Sequence, residues 1–127
     1  MTTRPHRDPS RPLHAPVQVF ALDEIAADTW AEAAGVAGHN AITLRKSANL
    51  RLVLMTMHAG SALAEHQTFA PIALQVISGR VRVTAADDTI DLSPHMIVTI
   101  DGGIAHRVDA LEDAVCLLTL AGATNDD

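Results

Sequence analysis

Two histidines carry most of what this chain offers for chemistry. His66 lies six residues after Gly60, and His106 lies three residues after Gly103. Each sits on a short apolar segment broken by turns, and the first of these segments closes at Gly79. Imidazole can accept a proton, donate one or bind a transition metal near neutral pH. Two such segments, folded as strands of one small barrel, aim both rings at a shared interior point. Alternation along a strand adds Thr68, Ile72 and Leu74 to the side of His66, provided no bulge intervenes. The pocket is then two imidazoles, one hydroxyl and an aliphatic wall. Neutral imidazoles suit Zn, Ni, Cu or Fe, whereas Mg and Ca prefer oxygen. Two nitrogens without a further protein ligand or a carboxylate hold such an ion weakly. The simpler reading is that both rings are satisfied by hydrogen bonds or water. Either ring can also serve as a general base, a role that calls for a carboxylate to orient it. Glu65 alternates to the opposite face, and Asp101 and Asp109 fall on turns or outward faces.

The other histidines have plainer readings. His6 and His14 lie in a proline-rich tail, His39 sits beside Asn40 in a solvent-facing stretch, and His95 follows Pro94 in a turn. His58 shares a strand face with Leu52 and Leu54, so it is a possible third metal ligand, with an edge or rim position as the alternative. Gln75 faces away from Ile72. The single cysteine, Cys116, lies in an apolar run and reads as core. There is no phosphate-binding glycine loop and no Cys-x-x-Cys, His-Glu-x-x-His or Gly-x-Ser-x-Gly motif.

The elements that must position these residues are mostly strands. The chain has 127 residues, the length of one domain able to bury its own core. Hydrophobic residues make up 48% of it and aromatic ones only 2%, so the core is aliphatic. One cysteine rules out an intramolecular disulfide and suits a reducing compartment. A net charge of −6 disfavours nucleic acid and anionic membrane surfaces as partners. No secretion signal and no membrane-length apolar run is visible, so a cytoplasmic location is expected.

Residues 1–16, with their prolines and arginines, read as a disordered or extended tail, and residues 17–127 as a single domain. Residues 17–22 form a first strand on this reading. Asp23 then caps a short helix over residues 24–34 that ends at Gly35. Strands follow at 41–46, 50–58, around His66, 72–77, 81–85, 89–92, 96–100, 105–110 and 114–120, with turns between them. Many short strands at regular spacing indicate a sandwich or barrel. Strands 50–58 and 114–120 are apolar on both faces. A second layer must cover their outer side, either the N-terminal segment or another subunit, and a homodimer is expected on that ground.

Residues 41–121 resemble the cupin superfamily, the RmlC-like jelly rolls. Gly60, His66 and Gly79 fall on the first family motif, and Gly103 and His106 on the second. The resemblance implies an all-β fold, a cupin-type jelly-roll β-barrel with one short N-terminal helix. It also implies that the family's metal-binding motif is degenerate. Thr68 stands at the second histidine position, Ile72 at the glutamate and Ala110 at a frequent asparagine, while His95 and Asp101 replace a glycine and a proline. The family's three-histidine, one-glutamate set is thereby cut to His66 and His106.

Two functions follow as expectations. The first is binding of a small, partly apolar molecule inside the barrel, with no cofactor or a weakly bound transition metal. The second is a metal-dependent dioxygenase or isomerase that uses His66 and His106 with additional ligands. A cupin fold by itself does not choose between them.

Overall fold

Alternating apolar residues give strands, and a run of alanines among acidic residues gives the one helix. The computed structural model describes residues 11–33 and 38–122. Helix α1 spans Leu22–Ala33. The strands are β1 His39–Lys46, β2 Leu50–Met57, β3 Ala62–His66, β4 Ile72–Ser78, β5 Val81–Ala85, β6 Asp88–Leu92, β7 Ile97–Ile100, β8 His106–Ala110 and β9 Ala114–Ala121. They build a five-stranded sheet in the order β1-β2-β9-β4-β7 and a four-stranded sheet in the order β3-β8-β5-β6. Every pairing is antiparallel. The fold is thus a two-sheet jelly roll. The expected barrel is not closed: among the described residues no hydrogen-bonded ladder joins one sheet to the other, and each sheet keeps two edges.

The main core lies between the sheets. Val53, Met55 and Met57 of β2 meet Val81, Val83 and Val108 across it. Strand β5 shows the alternation cleanly, with Val81, Val83 and Ala85 buried and Arg82 and Thr84 exposed. A second cluster lies on the outer face of the larger sheet. Ile25 and Ala26 of α1 pack on Ile42, Leu44, Leu54 and Val115, with Phe20 and Trp30 at the margin. The chain's own helix and N-terminal segment are therefore the layer that covers β2 and β9. The argument for a homodimer from their two apolar faces loses its premise.

The N-terminal region departs from the sequence reading. Residues 17–21 belong to no sheet. Gln18 and Phe20 turn inward, while Val17 and Val19 are 82% and 89% exposed. Alternation is present there without a neighbouring strand to pair with. Asp23 is not the helix cap, because the helix starts at Leu22 and the Ile25 amide donates to the Ala21 carbonyl. The Asp23 carboxylate accepts from the adjacent Glu24 amide instead. Gly35 and residues 1–10 lie outside the described residues. Residues 11–15 run along β1 at its bulge between Thr43 and Arg45. The Arg11 guanidinium donates to the Thr43 and Leu44 carbonyls, and the Lys46 amide donates to Leu13. No described helix is long and apolar enough to cross a membrane.

Candidate functional site

Strands β3 and β8 are neighbours, and His66 stands directly opposite His106 in their register. The register shifts between Leu63 and His66. That bulge matters, because residues three apart on a regular strand point to opposite faces. Here Leu63 and His66 both line the same cavity. The loop after β3 is held against the turn before β8. The Gly103 amide, in a left-handed residue with φ 82°, donates to the Thr68 carbonyl. A Cβ on Gly102 would sit 2.2 Å from the Phe69 carbonyl oxygen, so only glycine permits this approach. The glycine pair thus brings the two histidine-bearing strand ends together.

The imidazole rings meet edge to face, with centroids 4.4 Å apart and planes inclined at 62°. Each ring spends its Nδ1 on a backbone carbonyl two residues earlier: His66 on Ala64 at 2.9 Å and His106 on Ile104 at 3.0 Å. A carbonyl only accepts, so Nδ1 carries the hydrogen in both rings. In the neutral form Nε2 is then left with a free lone pair. His106 is buried, only 3% exposed, whereas His66 is exposed and stands at the mouth.

Behind the two rings lies a cavity of ≈ 20 Å³, room for about one water. Its wall is Met55, Leu63, Ile72, Leu74, Val83, Ile100, Val108 and Leu118. Ile72 and Leu74 therefore stand where alternation puts them. Thr68 does not. Strand β3 ends at His66, and the Thr68 hydroxyl turns away to donate to the Ala70 carbonyl. His58 is also displaced from the set. It follows the last residue of β2 and stacks on Trp30 of α1 at 4.8 Å, with Asp113 3.8 Å from its Nδ1. That is the outer, helix-covered side of the larger sheet, so His58 is no third ligand.

No carboxylate orients either ring. Asp109 is bound by the Arg107 guanidinium at 2.9 Å, and Glu65 is exposed. The described residues contain no group of three or more His, Cys, Asp or Glu side chains able to hold a metal. The donor set at the cavity is two imidazole nitrogens. It does not fit a metal held by the protein alone, because a stable transition-metal site takes three or four protein ligands. Cys116 is buried in the core, and burial pushes its thiol up to about 12. It stays protonated and is no nucleophile at neutral pH.

Met55, Leu63, Val83, Ile100, Val108 and Leu118 escaped the sequence reading as lining residues. All but Leu63 were legible as inward positions of strands. Leu63 required the bulge, for which the residue types give no signal.

The chain matches no protein-family model and no curated protein sequence. Its fold, however, matches solved structures. A cupin superfamily protein from Desulfitobacterium hafniense is 16% identical with a TM-score of 0.70, over 88% of this chain and 96% of that one. An RmlC-like cupin from Shewanella frigidimarina is 16% identical with a TM-score of 0.66, over 71% of this chain and 81% of that one. A salicylate 1,2-dioxygenase mutant from Pseudoaminobacter salicylatoxidans is 15% identical with a TM-score of 0.76. There the match covers 88% of this chain but only 37% of the dioxygenase. At such identities the likeness shows the fold alone, and that fold is a small cupin.

Proposed function

From the cupin fold and this cavity, we propose that the protein binds a small, partly apolar molecule between its sheets, at the His66–His106 end. The observation that carries the reading is the pinned ring pair: two adjacent imidazoles, each held by its Nδ1, leave two Nε2 acceptors at one aliphatic cavity. The ligand's polar end would donate to Nε2 of His66 or His106. Its apolar end would lie on Ile72 and Leu74. The cavity is small as it stands, so the ligand is small and enters by moving His66 at the mouth. Met55, an unbranched side chain, can repack behind it. A transition ion such as Zn, Ni, Cu or Fe would be held loosely by the same two nitrogens, with water or ligand completing its shell. The alternative, a metal-dependent enzyme, needs ligands beyond these two imidazoles.

Chelator-treated, tag-free protein with labelled methyl groups tests the reading by NMR against small neutral amides and alcohols. The Ile72 and Leu74 methyls are expected to shift together in the absence of metal. Binding that appears only after metal is added back would favour the enzyme instead.

A further inference from the structure

Arg51 is the second residue of β2. Directly paired residues of an antiparallel ladder share a face. The ladder runs from Arg51 to Leu120, from Leu120 to Ile72 and from Ile72 to Ile100. Ile72 and Ile100 line the cavity, and Leu120 belongs to the core between the sheets. Arg51 therefore lies on the face that turns between the sheets, in the ladder row of Ile72 and Ile100, beside the cavity wall rather than in it.

Its Nε is buried and has no hydrogen-bond partner. The other described arginines each find an acceptor. Arg11 and Arg45 reach backbone carbonyls, and Arg80, Arg82 and Arg107 reach carboxylates. A guanidinium is permanently charged, and its donors form a planar fork that matches a carboxylate. Burying one of those donors without an acceptor is costly to the fold. An acceptor brought by the ligand removes that cost.

We infer that the ligand of the cavity is a small hydroxy carboxylic acid, whose hydroxyl donates to Nε2 of His66 or His106. Its carboxylate is received by Arg51, and its apolar part rests on Ile72 and Leu74. This assignment rests on the ligand-binding reading above.

The test compares lactate with lactamide, an isosteric pair that shares a hydroxyl donor, on chelator-treated protein at neutral pH. Binding is read from the imidazole signals of His66 and His106. Wild-type protein is expected to bind the acid about tenfold more tightly than the amide. Arg51→Gln should abolish that preference. Arg51→Lys, which keeps the charge but not the fork, should restore only part of it. Equal binding of acid and amide by wild type overturns the assignment and leaves the cavity as a ligand site. So does a preference that survives Arg51→Gln. Rings that respond to neither compound overturn both. Should Arg51→Gln fail to fold, Arg51 is a structural residue and the assignment falls, while the wild-type comparison still decides the ligand class.

Discussion

At the scale of single residues, what distinguishes this cavity is how its polar groups are tied. Both imidazoles are fixed by backbone carbonyls rather than by carboxylates. That fixes the tautomer and the orientation of each ring. The positions that resemble cupin ligand sites diverge at the same scale. Ile72 faces the rings, but Thr68 is bound to Ala70 outside the cavity wall. The same scale carries a pH prediction. Burial lifts the Cys116 thiol from 9.0 to about 12. The folded state therefore keeps a proton that the unfolded chain gives up. Stability from this group is complete below pH 9.0 and is lost as pH rises toward about 12. In that window the stability of wild type should fall by about 1.4 kcal/mol per pH unit more than that of Cys116→Ala. Denaturant melts of the two proteins across the alkaline range check this. Parallel curves would show that the thiol is not buried as described.

At the scale of elements, strands were legible and their irregularities were not. The alternation in residues 81–85 and the turn that follows place β5 and β6 from residue types alone. Eight of the nine described strands fall where apolar runs were read between turn residues, with ends moved by no more than two positions; β3, expected around His66, instead ends at that residue. Residues 17–22 failed for a physical reason: strand propensity needs a neighbouring edge, and Val17 and Val19 have none. The bulge between Leu63 and His66 was not legible because no residue type in β3 signals it. Alternation sets Arg51 on one face with Val53 and Met55, but that this face is the inner one, and that the Arg51 Nε lacks an acceptor, emerges only in three dimensions. The helix cover makes a further prediction. Leu54 is fully buried beneath α1. Leu54→Ala should lower unfolding free energy by about 2–5 kcal/mol, through lost transfer energy and the cavity left behind. A loss below about 1 kcal/mol in chemical denaturation would show that α1 does not pack on the sheet in solution.

At the scale of the whole molecule, the two open sheets divide the work. The larger sheet faces the core on one side, and its β1, β2 and β9 part is covered by the helix on the other, while Ile97 of β7 stays exposed. The smaller sheet supplies both imidazoles and presents charged residues outward, such as the Arg82–Asp91 pair at 2.7 Å. The site lies between the sheets at one end, where β3 and β8 bring their histidines into register. Ligand binding at that end, and not metal chemistry, is the central claim. The most direct test is the long-range proton–nitrogen spectrum of the histidine rings in chelator-treated protein, recorded with and without isobutyramide. The account expects His66 and His106 both with hydrogen on Nδ1, and the Nε2 signals of both rings moving on addition of the amide. Hydrogen on Nε2 of either ring in the free protein, or Nε2 signals that stay fixed, would contradict it.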